Sequence, residues 1–235
     1  MLDAPAAKAV LLDLDGTLLD TAPDLIGSLN DLRGEHRLTP IPNGQMQSVV
    51  SHGSAPMIRR GFDMEPADPR FEPLRQRFLD IYRARISRET RPFDGMAELL
   101  DVLDTHSVPW GIVTNKPGWL TRPLVEALDL TTRAACLVTG DCLPRRKPDP
   151  SPVLRACHDL GLPPSDCVLV GDAQRDVEAG QRAGTLTLVA LFGYINAEDR
   201  VASWGADGLI GHPRDILNWL VPSRETAAPE PAASA

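Results

Sequence analysis

Six short apolar runs, each ending in polar or turn-forming residues, constrain this chain more than any other feature of its sequence. They cover residues 9–14, 108–113, 135–138, 167–170, 186–191 and 208–210. Runs this short and this apolar read as strands buried on both faces. Helical patterns lie between them. Met96, Leu99, Leu100 and Leu103 share one helical face behind Asp94, which is placed as an N-cap; Ser151 precedes Pro152 at a first helical position, and Gly161 follows the end of that helix. Strands alternating with helices of about ten residues predict an α/β fold, a parallel sheet with helices on both sides.

The alternation fails once. Between Thr21 and Arg91 no run reads as a buried strand. Thr21 is expected to cap a helix with Pro23 and Asp24 in its first turn. Asp68-Pro69 is expected to start another, in which Phe71, Leu74, Phe78, Ile81 and Tyr82 form an apolar stripe opposite charged residues. The expected organisation is a core of residues 1–19 and 92–221 and a small all-helical module, residues 20–91, inserted after the first strand. Residues 222–235, poor in apolar side chains other than alanine, are expected to be disordered. Ligands of open α/β sheets bind at the carboxyl ends of the strands, which is where an insert leaving the first strand must sit.

The charge balance excludes some partners. With 24 Lys+Arg against 32 Asp+Glu, the net charge is -8. An acidic chain lacks the basic stripe with which nucleic-acid binders displace counterions, and it does not suit an anionic membrane surface. The N-terminus carries Asp3 and no positive start before a long apolar stretch, and no run approaches the roughly 18 apolar residues of a membrane span. The four cysteines form no CxxC pair. The expectation is a cytoplasmic monomer or weak dimer with reduced core thiols, and with neither nucleic acid nor membrane as partner.

Polar residues cluster at four strand ends. Asp13-Leu14-Asp15-Gly16-Thr17 follows the first run; residues two apart on a strand point the same way, so Asp13 and Asp15 can converge. Thr114-Asn115-Lys116 follows the second. Lys147 stands in Arg145-Arg146-Lys147-Pro148-Asp149-Pro150, and Gly171-Asp172-Ala173-Gln174-Arg175-Asp176 follows the fourth run. Alone, each has a plain structural explanation: an Asp-rich turn, a helix cap at Thr114 or Asn115, a solvated basic turn, and a Gly-Asp turn opening a helix with Asp172 and Asp176 on one face. Taken together they gather carboxylates, a hydroxyl and a lysine at one sheet edge. Close carboxylates repel unless they share a cation or proton.

The pieces DLDGTLLDT (13–21), TNK (114–116), KPDP (147–150) and GDAQRD (171–176), in this order and spacing, resemble the haloacid dehalogenase-like phosphatase superfamily. The resemblance implies a Rossmann-like core with a helical cap. It casts Asp13 as the nucleophile that becomes an aspartyl phosphate, Asp15 as general acid and then base, Thr114 as a donor to a phosphoryl oxygen, and Lys147 as the cation between phosphate and Asp13. It implies Mg²⁺ held by the Asp13 carboxylate, the Asp15 backbone carbonyl and Asp172, with Asp176 in support. Elementary electrostatics agrees: a carboxylate attacking a phosphate dianion needs positive charge between them.

The substrate is expected to be a small phosphorylated metabolite. FDGMAELL (93–100), WGIVTNKP (110–117) and FGYINAED with the following SWGAD (192–207) are similar to bacterial phosphoglycolate phosphatases and more so to N-acetylmuramic acid 6-phosphate phosphatases. Asn115 beside Thr114, and His52, Gly53, Ser54 and Arg59 in the insert, are placed as substrate-binding residues, because this is the least core-like stretch of the insert. A sugar-phosphate mutase or phosphotransferase shares every motif. A dehalogenase would use Asp13 on carbon and need no acid at Asp15, and a binding protein on this fold would be expected to lack a catalytic acid.

Overall fold

A computed structural model describes residues 7–196 and 198–221; the tail expected to be disordered, residues 222–235, lies outside them. β1 (Ala9–Leu12) opens the chain. β2 (Leu19–Asp20) and β3 (Arg91–Pro92) bracket the insert, and β4 (Trp110–Val113), β5 (Cys136–Val138), β6 (Cys167–Gly171), β7 (Leu186–Ala190) and β8 (Gly208–Ile210) follow. All six expected strands form one parallel sheet in the order β5-β4-β1-β6-β7-β8. The chain winds outward in both directions from β1, so the sheet has its topological switch point there, where α/β sheets open a crevice for ligands.

The central strands β1 and β4 are apolar and fully buried because both faces are covered, whereas Leu209 on the edge strand β8 is exposed. Val10 and Leu12 pack with Met96, Leu99 and Leu103 of α5 (Met96–Thr105) and Leu124 of α6 (Gly118–Ala127). Ala9 and Leu11 point the other way, against Val153 and Ala156 of α7 (Ser151–Asp159) and Ala179 of α8 (Gln174–Ala183). Leu12 pairs with Ile112 on one side and Val170 on the other. That register brings the residues after β1, β4 and β6 to one edge.

The insert is helical, as expected: α1 (Ala22–Glu35), α2 (Asn43–Val50), α3 (Ser54–Phe62) and α4 (Phe71–Arg85). It has its own core, built around Ile26, Leu29, Met57, Phe78 and Tyr82, and Leu120 and Tyr194 join it to the larger domain. The expected boundaries, 20 and 91, fall in a two-stranded antiparallel ribbon where Leu19 opposes Pro92 and Asp20 opposes Arg91. Asp24, fully buried, staples this exit. Its Oδ2 accepts from the amides of Glu89 and Thr90 at 2.9 and 2.8 Å and from the Thr90 hydroxyl at 2.8 Å.

Helix starts differ from expectation. Gly95, at φ 82°, precedes α5 in place of an Asp94 cap. α4 begins at Phe71, after the Asp68 carboxylate has taken the Arg70 amide. Ser151 lies inside α7, its amide held by Asp149. Thr21 does precede α1 but caps nothing, because its hydroxyl is used elsewhere. Three of the four free cysteines are buried; Cys142 is exposed, against the expectation of core thiols throughout. No helix among the described residues is long and apolar enough to cross a membrane.

Candidate active site

β1 delivers Asp13 to the sheet edge, where its amide donates to the Val170 carbonyl at 2.9 Å. The chain must then turn at once. Gly16 does this at φ +89°, and a Cβ there would collide with the Asp172 carboxylate; glycine is required on both counts. Asp13 is 3% exposed.

Lys147 reaches it from the loop before α7. Its side chain is fully buried, not a solvated turn, and Nζ lies 2.8 Å from Asp13 Oδ1 and 2.8 Å from Asp176 Oδ1. It also donates to the Val113 carbonyl. Asn115 fixes this lysine: its Nδ2 donates to the Lys147 carbonyl at 2.9 Å and its Oδ1 accepts the Lys147 amide at 3.0 Å. Neither Asn115 nor Thr114 caps α6. Thr114, buried, takes the Lys116 amide on its hydroxyl at 3.1 Å.

Asp172 and Asp176 do not share a helical face. Asp172 lies in the turn after β6, and Asp176 sits in the first turn of α8, where its Oδ2 accepts the Ala173 amide at 3.1 Å. Both nevertheless meet Asp13, with one carboxylate oxygen of each within 4.8 Å of the others. Asp172 Oδ2 accepts from Ser51 Oγ at 2.7 Å and from the Tyr194 amide at 3.0 Å. Its Oδ1 is buried without a hydrogen-bond partner. A buried, unpartnered carboxylate oxygen in a cluster of three carboxylates wants a proton or a cation, and an all-oxygen set of this kind fits a hard divalent metal.

Three carboxylates here meet the Lys147 ammonium and the Arg175 guanidinium, whose Nη2 is 3.9 Å from Asp13 Oδ2. Burial raises the Asp13 carboxyl against the pull of Lys147, and Asp176 adds to the rise. Burial alone would pull the Lys147 ammonium down, but Asp13 and Asp176 outweigh it and hold the group protonated. Asp172 is pushed up to about 7, first by burial, then by Asp13 and Asp176.

The unfolded chain ionises this last carboxyl near 3.8. Between about pH 4 and pH 7 the folded, metal-free protein keeps a proton the unfolded chain has lost, so this group's contribution to stability falls as pH rises through that window. A divalent metal held by this cluster would bind the ionised form and oppose the loss. Melting in EDTA and in excess MgCl₂ at about pH 5.5 and pH 8 is expected to show the larger metal-induced rise in Tm at the higher pH. Asp172→Asn should flatten that difference; an unaltered difference would remove Asp172 from the metal site.

Asp15 turns away from the three-carboxylate cluster, so its side chain is no part of it. Its Oδ1 accepts from Lys116 Nζ at 2.8 Å and from the Thr21 hydroxyl at 2.6 Å. Lys116, buried, also donates to Tyr82 Oη of α4 at 2.8 Å. The carboxylate raises the Lys116 pKa although burial opposes it.

Above these groups lies a cavity of about 300 Å³ between the sheet edge and the insert. Asp13, Asp15, Thr114 and Asn115 line it from below, and His52, Gly53 and Ser54 from the insert. His52 is exposed at the cavity mouth, and its pKa is lowered first by partial desolvation and then by Arg175. Gly53 stands at φ +89°, and Ser54 Oγ accepts from Arg75 Nη1 at 3.2 Å. Arg59 is not in this wall. It follows Ser54 by five residues on α3, which turns it about 140° away, and it pairs on the surface with Glu65 at 2.7 Å.

Lys116, Arg175, Ser51 and Tyr194 have no role at the site in the sequence reading, and Tyr82 has one only in the apolar stripe of its helix. Lys116 and Arg175 do stand inside two of the four strand-end motifs, and that position was the available signal.

The haloacid dehalogenase-like hydrolase family model matches residues 10–190. The N-acetylmuramic acid 6-phosphate phosphatase of Pseudomonas aeruginosa is 44% identical over 213 residues, 91% of this chain and 94% of that one. The phosphoglycolate phosphatase of Xylella fastidiosa is 41% identical, over 88% of this chain and 90% of its own. Among solved structures, a predicted phosphoglycolate phosphatase from Haemophilus somnus superposes with a TM-score of 0.79 at 26% identity, covering 90% of this chain and 97% of that chain.

Proposed function

The chain belongs to the haloacid dehalogenase-like hydrolase family, and from that premise we propose that it is a Mg²⁺-dependent phosphomonoesterase working through an aspartyl phosphate on Asp13. The observation that carries the reading is the pairing of buried Asp13 with a fully buried lysine ammonium at 2.8 Å, beside a carboxylate oxygen that has no partner. A carboxylate poised as nucleophile toward a phosphate needs positive charge at that point.

In this reading Asp13 Oδ2 attacks phosphorus. The bond to the substrate's ester oxygen breaks, and Asp15 gives that oxygen its proton. Asp15 then takes a proton from water, and the water oxygen displaces Asp13 to release inorganic phosphate. Lys147 and Arg175 hold the equatorial charge, Thr114 donates to a phosphoryl oxygen, and the insert, acting as a cap, keeps bulk water out until the alcohol has left. Lys116 and Thr21 orient Asp15 by occupying one of its oxygens. Asp13, Asp172, Asp176 and the Asp15 carbonyl would hold Mg²⁺, which supplies Lewis-acid charge neutralisation at the phosphoryl group.

We assign the substrate as a small phosphorylated metabolite that also carries a carboxylate, N-acetylmuramic acid 6-phosphate before 2-phosphoglycolate. The P. aeruginosa relative supports this order. So does a cavity of about 300 Å³, within the range that holds drug-sized ligands and roomy for a two-carbon acid. Arg146 in the cavity wall is a cation available to a carboxylate, whereas Arg75 in the same wall is paired with Glu72 at 2.6 Å.

A phosphate-release panel tests the proposal. N-acetylmuramic acid 6-phosphate is expected to exceed glucose 6-phosphate by at least about 100-fold in kcat/KM, the discrimination expected when a site's charged group loses its partner, and EDTA should abolish turnover. Full activity in EDTA would overturn the metal requirement. Isomerised sugar phosphate in place of inorganic phosphate would make the protein a mutase.

A further inference from the structure

We infer that Ser51, carried on the cap, is a positioning residue for the metal-site carboxylate Asp172, so that cap closure and divalent-cation binding assist each other. The inference rests on the metal site proposed above and adds to it a coupling to the cap.

Ser51 follows the last residue of α2, inside the insert. Its hydroxyl donates to Asp172 Oδ2 at 2.7 Å, across 121 residues of sequence. The Tyr194 amide donates to the same oxygen at 3.0 Å. Two donors on Oδ2 restrain the carboxylate, whose Oδ1 is buried and unpartnered, and one oxygen of Asp172 lies within 4.8 Å of an oxygen each of Asp13 and Asp176.

Tyr194 ties the arrangement to the linker as well. Its hydroxyl donates to Asp20 Oδ1 at 2.6 Å and accepts the Ala22 amide at 2.8 Å, and these residues lead the chain into the cap. The other two members of the cluster have no such dependence, because Asp13 and Asp176 are held by Lys147 of the core. Asp172 is thus the cluster carboxylate held by a cap side chain. When the cap lifts, Oδ2 keeps one donor and the carboxylate is freer to rotate. A cation that binds a fixed Asp172 more tightly binds the closed form more tightly, and by reciprocity the bound cation favours closure.

A hydrogen bond that merely docked the cap would stabilise the fold without altering metal affinity, and this separates the two roles. Mn²⁺ binding to the full-length, substrate-free protein, read by electron paramagnetic resonance, reports the site directly. Ser51→Ala is expected to weaken the Mn²⁺ Kd about tenfold, the effect of losing one hydrogen bond to a charged group, and Ser51→Thr to restore it to within about threefold. Mn²⁺ should also protect the wild-type linkers from limited proteolysis, and Ser51→Ala should lose most of that protection. Tight Mn²⁺ binding by wild type with an unchanged Kd in Ser51→Ala would overturn the coupling alone. No Mn²⁺ binding by wild type would overturn the metal site with it. An equal loss in Ser51→Thr, which keeps the hydroxyl, would also sink the positioning role.

Discussion

Asp13→Asn is expected to lower kcat for p-nitrophenyl phosphate by at least about 10⁴-fold, the scale on which removing a covalent nucleophile acts, while the protein stays folded. The amide is nearly isosteric but cannot form the acyl phosphate. Stability should change little, because burial already disfavours the charge at this position. The Lys147 ammonium also retains Asp176 at 2.8 Å and the Val113 carbonyl. A melting temperature near wild type with no measurable turnover is therefore the expected pair of results. Wild-type turnover by Asp13→Asn would refute the catalytic assignment outright.

Lys147→Met is expected to cost both activity and stability. The methionine fills a similar volume but leaves Asp13 and Asp176 facing each other without the ammonium that bridges them. Removing one partner of a buried ion pair typically costs about 3–5 kcal/mol, and the side chain here is fully shielded from solvent. Part of that loss is relieved by proton uptake on the carboxylates, so excess Mg²⁺ should recover more stability in this variant than in wild type. The rate should fall about 10³-fold, as for loss of a preorganised charge at the transition state. Lys147→Arg keeps the charge but exchanges a compact ammonium for a planar fork. A point donor satisfies Asp13, Asp176 and the Val113 carbonyl from one position, whereas a guanidinium cannot, and about a 10²-fold loss of kcat is expected. Steady-state kinetics and thermal melts decide both. Activity within threefold of wild type in Lys147→Met would leave Lys147 as packing, and in Lys147→Arg it would overturn the need for a compact ammonium.

The sheet was legible because parallel strands covered on both faces must be apolar at every position, and all six runs formed. Helix starts were less so. Thr21, Asp94 and Ser151 are residue types that cap helices, yet capping competes with other uses of the same side chain. Thr21 shows the competition directly, since its hydroxyl is spent on Asp15. The site divides along similar lines. The convergence of Asp13, Lys147, Asp172 and Asp176 could be read because each sits in a short motif, although Lys147 comes from the loop before α7 and Asp176 from the first turn of α8. Ser51, Tyr82 and Tyr194 could not, because what makes them matter is a partner 121, 34 and 22 residues away. Arg59 was misplaced for a geometric reason: loop composition suggested proximity, but the helix that begins at Ser54 rotates it out of the cavity.

The ribbon formed by β2 and β3 has a consequence for how such a protein can change. Leu19 opposes Pro92, and Asp20 opposes Arg91, so the chain leaves the larger domain and returns to it at neighbouring points, with backbones about 5 Å apart as in any antiparallel pair. A single tight turn could close that gap. The intervening helices can therefore be exchanged, enlarged or lost without any strand of the sheet having to move. Asp13, Lys147, Asp172 and Asp176 all lie on the side that would remain. The topology separates the helices that border the cavity from the sheet edge that holds the carboxylates and the lysine.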